Sequence, residues 1–254
     1  MQKLAFFLMS LVTLFTSLFG GYSDAKAHVI FIGHRGYSSR YLENTEDAFI
    51  GAAKHGSGGA ETDVRFTKDG VLVCSHNSEI TLKDGTELTI ADHTYEELTA
   101  QPLKNLKTFS TVYLCTFERY LQIMAENDMV CFIEFKGTFT EENVRKAFDM
   151  AAQIYDLSKC PLQSYDMSNL KLARSLYPDL PIMLTCDEDG ADVEEALSLG
   201  FSIDMDLHGL NQQIVDRFHD AGLEVGAWTA NTRAQISYCL SLGVDYIESD
   251  VYAK

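Results

Sequence analysis

Short apolar runs alternate with amphipathic segments along the chain from residue 29 onward. Apolar runs of this kind predict buried strands, and segments whose apolar residues recur three and four apart predict helices that cover a sheet. Repeated strand–helix alternation indicates a parallel sheet, so we expect an α/β fold, a single (β/α)8 TIM barrel. The predicted strands are 29–33, 60–66, 130–135, 160–164, 181–185, 201–206, 224–229 and 244–249. The predicted helices are 45–55, 116–127, 141–155, 167–176, 191–199, 211–221 and 233–242.

Two parts of the pattern depart from regular alternation. The segment 77–115 contains turn signals at 83–86 and 101–102 and only a short helical piece, which predicts a short insertion after strand 2. Loops at that end of a barrel surround the active site, so the insertion is either a lid or substrate wall, or a segment that packs on the rim. No helix is predicted after the eighth strand, so either another segment covers that strand or the strand count is wrong by one.

The first 27 residues differ from the rest of the chain. Lys3 precedes an uncharged stretch rich in Leu and Phe at 4–19, and Ala25-Lys26-Ala27 follows. This arrangement is typical of a secretory signal peptide, which predicts a signal at 1–27 and a barrel domain at 28–254. We therefore expect a secreted or extracytoplasmic protein without a stable membrane span. The alternative is an uncleaved N-terminal helix that anchors the chain to a membrane.

The formal net charge of the chain is −17. This acidity argues against nucleic acid and against an anionic membrane surface as partners, because it repels their phosphate groups, although a local cationic pocket is compatible with it. Most of the six cysteines lie in or beside apolar strand and helix patterns, and none has CxxC spacing. We therefore expect buried free thiols rather than disulfides or a zinc site. The sequence leaves the oligomeric state open.

Acidic residues interrupt two of the predicted strands. Because side chains alternate between the two faces of a strand, Glu61 and Asp63 lie opposite Val64, and Glu134 shares a face with Lys136. The apolar face of a barrel strand contacts the helices, so these carboxylates are expected to point inward. Buried carboxylates are costly unless they are protonated, paired with a cation or bound to a metal.

Two explanations fit the three inward carboxylates. Oxygen donors without cysteine favour a hard divalent cation, Ca²⁺ or Mg²⁺. The alternative is an internal ion-pair cluster in which Lys136, Arg35 and Arg65 neutralise the acids. Histidines at the ends of two strands favour the metal.

These histidines end apolar runs. His34 follows Val-Ile-Phe-Ile-Gly, and His76 follows Val-Leu-Val-Cys-Ser, which is expected to extend the second predicted strand. Barrel enzymes carry catalytic groups at the ends of their strands. Two imidazoles can supply the acid and the base of a hydrolysis near neutral pH. Arg35 can hold a phosphate oxygen and Lys136 can neutralise developing charge, so the four side chains indicate a phosphodiester site.

An ordered series of motifs resembles one known family. The series comprises Gly33-His34-Arg35-Gly36, Glu43-Asn44-Thr45, Glu61-Thr62-Asp63-Val64, Thr67-Lys68-Asp69-Gly70, Ser75-His76, Glu134-Phe135-Lys136, Trp228-Thr229-Ala230-Asn231 and 243–250. Each motif alone is a weak signal, but their order over residues 29–251 is similar to that of the glycerophosphodiester phosphodiesterases.

The resemblance implies a barrel hydrolase that converts a small-molecule glycerophosphodiester to glycerol 3-phosphate and an alcohol. In this family a hydroxyl group of the substrate is thought able to attack phosphorus and give a cyclic phosphate. One position departs from the family pattern, since Asn77 stands where an aspartate usually follows the second histidine. An amide can orient the ring but brings no charge. The residues that the resemblance assigns are His34 and His76 for acid–base catalysis and Glu61, Asp63 and Glu134 for the metal.

Four further positions are candidates for the site. Asn44 opens the first helix and is either a helix cap or, as the resemblance implies, a substrate-binding residue. Trp228, the only tryptophan, is expected to line the pocket against a glycerol or headgroup carbon chain, or else to pack within the barrel. Glu43 is expected to contact the metal or only neighbouring backbone. Gln163 fits the family loosely and is a candidate rim residue.

Two other functions are compatible with the same residues. A phospholipase D-like hydrolase of lysophospholipid or sphingomyelin needs an exposed apolar entry surface near the 77–115 insertion. A non-catalytic phosphate-binding barrel is the second, which the altered residue 77 keeps open. A glycosidase with paired carboxylates fits less well, because Lys136 and Arg35 beside the acids suit an anionic substrate.

Overall fold

Parallel strands close into a barrel in the part of the chain that the computed structural model describes, residues 29–251. The strands are β1 (Ile30–Gly33), β2 (Gly59–Phe66), β3 (Leu72–Cys74), β4 (Glu79–Thr81), β5 (Glu87–Thr89), β6 (Val130–Phe135), β7 (Leu162–Ser164), β8 (Ile182–Cys186), β9 (Ser202–Asp206), β10 (Val225–Trp228) and β11 (Tyr246–Ser249). Strands β1, β2 and β6 to β11 form the barrel, and β1 closes it by pairing with both β2 and β11. The predicted (β/α)8 TIM barrel is confirmed.

Helices connect the barrel strands. They are α1 (Glu46–Lys54), α2 (Tyr95–Leu98), α3 (Phe117–Glu126), α4 (Glu141–Ile154), α5 (Met167–Leu176), α6 (Ala191–Leu199), α7 (Gln212–Asp220) and α8 (Arg233–Leu242). Every predicted helix is confirmed. Threonine caps begin several of them: the side chains of Thr45, Thr116, Thr140 and Thr232 each accept a hydrogen bond from a first-turn amide, which satisfies a backbone donor that the helix leaves free.

Strand alternation divides apolar from polar side chains as expected. Val64 and Ile133 belong to the large core between the barrel and its helices. Inside the barrel, Ile32, Phe132 and Met183 form a small apolar cluster. Because each lies two residues before a more polar inward position on the same strand, this cluster closes the amino end and leaves the carboxyl end for the site.

Above the apolar cluster lies a layer of four buried polar side chains, Glu61, Gln163, Asp204 and Glu248, here called the polar layer. They come from β2, β7, β9 and β11, every second strand of the barrel, which is the usual way a barrel interior is filled. The Gln163 amide holds the layer together by donating to Asp204 at 2.8 Å and to Glu248 at 2.9 Å. The barrel is therefore polar at its middle.

The segment after β2 differs in detail from the prediction. Residues 72–74 do not extend strand 2 but fold back antiparallel to it, with Cys74 opposite Val64. The predicted insertion then contains the β4–β5 hairpin, a short 3-10 turn and α2. It has a core of its own, formed by Val73, Ile80, Leu82, Ile90, Leu98 and Leu114.

The remaining predictions on architecture concern the number of strands, the cysteines and the N-terminal segment. The count of eight barrel strands is right, and β11 joins β1 directly. All six cysteines are buried and free, as expected. Within residues 29–251 no helix has the length and hydrophobicity to cross a bilayer. The predicted signal peptide lies outside the described residues and stays a prediction.

Candidate active site

A tight turn at the end of β1 presents the first histidine and arginine. Arg35 has a φ of 56° and Gly36 a φ of 80°. A side chain at Gly36 would lie 2.6 Å from the Ala48 backbone, so glycine allows the turn to pack against α1. The Arg35 amide donates to Glu61 Oε2 at 2.8 Å, which fixes this turn to β2.

His34 is held by an acidic residue from the far end of the chain. Its Nδ1 lies 2.7 Å from Asp250 Oδ1, and Asp250 also accepts hydrogen bonds from Ser38 and Asn231. Burial by itself would raise the pKa of Asp250, but the hydrogen bonds and the charge of His34 lower it to about 2. Asp250 is therefore an anion that orients the His34 ring and leaves Nε2 for other contacts.

His76 is held by a neutral partner. Its Nδ1 lies 3.1 Å from Asn77 Oδ1, so the amide orients the ring as the sequence suggested. Burial lowers the pKa of His76, and the nearby Asp63 only partly offsets this. The ring is therefore neutral at pH 7 and able to accept a proton.

The three predicted metal ligands are buried together inside the barrel. Oxygen atoms of Glu61, Asp63 and Glu134 lie within 4.8 Å of one another, and the register of β2 and β6 places Asp63 beside Glu134. Burial, with repulsion from Asp63 and Glu248, raises the pKa of Glu61 well above its usual range. Burial likewise raises the pKa of Glu134.

Two cations contact part of this carboxylate group. Lys136 Nζ lies 2.6 Å from Glu134 Oε1 and 3.1 Å from Asp63 Oδ1, and Arg35 Nε lies 3.4 Å from Asp63 Oδ2. Burial opposes the ionised form of Asp63, but Lys136 and Arg35 lower its pKa. Arg65, the third cation of the ion-pair explanation, instead donates to the carbonyls of residues 75 and 76.

The ion pairs leave Glu61 unexplained. Its Oε1 is buried and has no hydrogen-bond partner among residues 29–251. Without a cation, Glu61 must either stay protonated or bear the desolvation cost of an uncompensated buried ion, which is several kcal/mol. Oxygen atoms from three carboxylates gathered around it are the donor set of a hard divalent cation. The residues present therefore fit a metal better than an ion-pair cluster alone.

Asn44 is a partner of Asp63 and not a helix cap. The cap of α1 is Thr45. Asn44 donates from Nδ2 to Asp63 Oδ2 at 2.7 Å, and its Oδ1 accepts from Thr62 Oγ1 at 2.9 Å and from the Asp63 amide. With φ at 56° it is a buried left-handed residue. Glu43 pairs with Arg35 at 3.0 Å.

Most of the predicted site residues meet at one cavity of about 210 Å³. Trp228 forms part of its wall together with Tyr165, at a ring-centroid distance of 6.2 Å. Its indole N–H donates to the Asp204 carbonyl at 3.2 Å. Asn44 lies at a neighbouring cavity of about 160 Å³ that His76 also lines. The predicted residues that line the first cavity are His34, Arg35, His76, Glu134, Lys136 and Trp228.

Several site residues were missed from the sequence. Asp204 and Glu248 line the same cavity, and burial raises the pKa of both carboxyls well above the usual range. Glu248 also lies within 4.8 Å of ligand atoms of His34 and Glu61, so the polar layer reaches the metal ligands. Gln163, predicted at the rim, lies in this layer. The missed signal was the same alternation of charge within an apolar strand that identified Glu61.

The profile of the glycerophosphoryl diester phosphodiesterase family matches residues 34–254. The chain is 27% identical to a glycerophosphodiester phosphodiesterase of Bacillus altitudinis over 85% of this chain and 92% of that protein. It is similar to the glycerophosphodiester phosphodiesterase structure from Thermotoga maritima, with 26% identity, a TM-score of 0.68 and coverage of 88% and 95%. An Oleispira antarctica phosphodiesterase solved with sn-glycerol-3-phosphate has the same fold, with 20% identity, a TM-score of 0.78 and coverage of 88% and 93%.

Proposed function

Because the chain belongs to the glycerophosphoryl diester phosphodiesterase family, it is a hydrolase of glycerophosphodiesters, and we propose that His34 and His76 exchange the protons of this reaction. The observation that carries the proposal is the cavity in which both imidazoles, Arg35 and Lys136 meet Glu134, one of three clustered carboxylates. The products are glycerol 3-phosphate and an alcohol.

The carboxylates Glu61, Asp63 and Glu134 would hold a divalent cation, Ca²⁺ or Mg²⁺. Bound there, the ion supplies Lewis acidity to the phosphoryl group and neutralises the buried acids. Asn44 orients Asp63 through both of its amide atoms, so its role in this proposal is to position a ligand rather than to bind substrate.

Arg35 and Lys136 bind the phosphate. Burial by itself would lower the pKa of both side chains, but the surrounding carboxylates outweigh it and raise both above their usual values. Both groups are thus permanently charged beside the cavity, where they stabilise the negative charge that develops on phosphoryl oxygens. Trp228 provides an apolar wall for the carbon chain of glycerol or of the leaving alcohol.

The two histidines have different roles in the proposal. His76 is neutral at pH 7, because burial lowers its pKa, and it accepts the proton of the attacking hydroxyl group. His34 is held through Nδ1 by the anionic Asp250, and in this proposal it donates a proton to the leaving alcohol. The attacking group is water, which gives glycerol 3-phosphate directly, or a glycerol hydroxyl, which gives a cyclic phosphate that water then opens to glycerol 3-phosphate.

The first test is hydrolysis of glycerophosphocholine with Ca²⁺, with Mg²⁺ and with a chelator. We expect release of glycerol 3-phosphate that the chelator and His34→Ala abolish, whereas His208→Ala, an exposed histidine, serves as the matched control. Binding without turnover would refute catalysis by these residues. ³¹P NMR during turnover distinguishes a cyclic phosphate from direct hydrolysis.

The second test separates the acid from the base. A p-nitrophenyl ester of glycerophosphate has a leaving group that needs no proton, so His34→Ala is expected to retain far more activity on it than on glycerophosphocholine. His76→Ala is expected to lose activity on both substrates. The opposite pattern would exchange the two roles.

We also infer export from the cell. The support is the uncharged Leu- and Phe-rich stretch at 4–19 followed by Ala25-Lys26-Ala27. Mass spectrometry of the protein recovered outside the cytoplasm tests this: a mature chain that begins near residue 28 is expected, and a full-length chain held in the membrane fraction would favour the anchor.

A further inference from the structure

The insertion after β3 exposes an unusual amount of apolar surface. Leu106 is 85% exposed and Phe109 is fully exposed, the largest values among large apolar side chains of the described residues, and Tyr113 is half exposed. These three residues lie within residues 104–113, here called the tip loop. Large apolar side chains that are this exposed mark a contact surface when they occur together.

The charge of the tip loop differs from that of the protein. Residues 98–117 contain Lys104 and Lys107 and no aspartate or glutamate, although the whole chain has a net charge of −17. Both lysines are exposed and lie on either side of Leu106. The loop therefore presents apolar tips beside positive charge on an otherwise acidic molecule.

Internal hydrogen bonds hold the tip loop in shape. Asn105 Oδ1 accepts from the amides of Lys107 and Thr108 at 3.0 and 3.2 Å, and its Nδ2 donates to Thr108 Oγ1 and the Ser110 carbonyl. Lys107 Nζ donates to the Ser38 carbonyl. Leu106 and Phe109 are thus held outward by a built turn, and docking them requires little ordering of the chain.

The tip loop is joined to the active site. Lys104, its first residue, and the flanking residues Leu103 and Leu114 line the cavity of about 160 Å³ that His76 also lines. On the other side, Ser38, which holds Lys107, also donates to Asp250, the partner of His34. A surface that receives the tip loop therefore lies next to both catalytic histidines.

We propose that the tip loop docks on a phospholipid bilayer, with Leu106 and Phe109 inserted among the acyl chains and the exposed Lys104 facing lipid phosphates. Two separate apolar side chains on a turn suit a lipid surface, where each finds hydrocarbon without a shaped pocket, and Lys104 complements its anionic phosphates. Docking then brings the phosphodiester group of a lysophospholipid to the cavity, a consequence that rests on the proposed function.

The test is a quenching experiment on the full chain. Phe109→Trp is mixed with phosphatidylcholine–phosphatidylglycerol vesicles that carry doxyl-labelled lipid, and emission beyond that of Trp228 is expected to be quenched. The matched control is Leu199→Trp. Leu199 is a partly exposed side chain at the C-terminal end of α6, at the opposite end of the barrel from the tip loop. A tryptophan at this position is expected to stay unquenched. No added quenching at position 109, or equal quenching at 199, overturns the proposal.

A second variant tests the strength of the contact. Leu106→Ser/Phe109→Ser is expected to weaken vesicle binding by about a hundredfold or more, the loss for two apolar side chains that leave hydrocarbon. Lysophosphatidylcholine turnover in vesicles is expected to fall, while turnover of soluble glycerophosphocholine stays unchanged. If the parent chain forms dimers on size-exclusion chromatography without vesicles and this variant does not, the loop is a self-association surface and the proposal is overturned. If the parent chain does not hydrolyse glycerophosphocholine, the proposed function is refuted. The quenching experiment still decides whether the tip loop docks on a bilayer.

Discussion

The neutral partner of His76 makes a quantitative prediction. Replacing Asn77 by aspartate puts a charge at the atom that now lies 3.1 Å from His76 Nδ1. Two charges about 4 Å apart interact by about 1 kcal/mol in water and about 4 kcal/mol near a protein surface. Asn77 is exposed, so a value near the lower end of this range applies, and an interaction of about 1.4 kcal/mol raises the pKa of His76 by about one unit.

The sign of the effect on catalysis follows from the proposed role. A base must be neutral to act, so a higher pKa of His76 removes the active form at low pH. The acidic limb of the pH profile of kcat/KM is expected to move up by about one pH unit in Asn77→Asp. Activity well below the limb then falls about tenfold and activity at pH 8 changes little.

The assay is kcat/KM on glycerophosphocholine between pH 5 and 9, with NMR titration of the His76 ring as an independent measure. Ser78→Asp places the same charge one residue farther along an exposed segment and is the matched control, for which a smaller shift is expected. An unmoved acidic limb in folded Asn77→Asp, with an unmoved ring titration, would refute the reasoning.

Three other predictions concern stability. Ca²⁺ or Mg²⁺ at a hundredfold its Kd is expected to raise the free energy of unfolding by about 2.7 kcal/mol, and Glu61→Gln is expected to abolish this gain. Urea titrations with and without chelator measure the gain. An equal gain in the variant would place the ion elsewhere. Thr45→Ala removes the cap of α1 and is expected to lower the free energy of unfolding by about 1 kcal/mol, as measured by urea titration. If stability does not fall, packing alone fixes the start of the helix. Burial raises the pKa of Glu248 in the folded state, so the unfolded chain releases this proton first and stability falls as pH rises above about 4.3. In chelator, Glu248→Gln is therefore expected to be more stable than the parent at pH 8, with little difference at pH 4. A parent that is the more stable one at pH 8 would contradict this sign.

The periodicity of apolar residues along the strands was enough to predict most of the fold and much of the candidate site. The alternation of Glu61, Asp63 and Val64 predicted two inward carboxylates, and both are buried inside the barrel. The shared face of Glu134 and Lys136 predicted their contact, which the structure places at 2.6 Å. Local patterns suffice here because the direction of a strand side chain depends on its neighbours in sequence.

Contacts between distant parts of the chain were harder to predict. Asp250 holds His34 across 216 positions, a contact that exists because a closed barrel makes its first and last strands neighbours. Asp204 interrupts an apolar strand as Glu61 does, yet it follows no motif that draws attention to it. The fold of the tip loop depends on hydrogen bonds from a single asparagine, Asn105, which no hydrophobic pattern reports.

The polar layer has a consequence for how this sequence can change over time. Gln163 has one amide group that serves two acids, Asp204 and Glu248, and a side chain at Gly226 would lie 2.3 Å from Asp204 Oδ1. An aliphatic residue at 248 would strand one donor, and a larger residue at 226 would displace the acid. These positions are therefore expected to be substituted together. Homologues whose barrel is apolar at this level are expected to have replaced several of them at once.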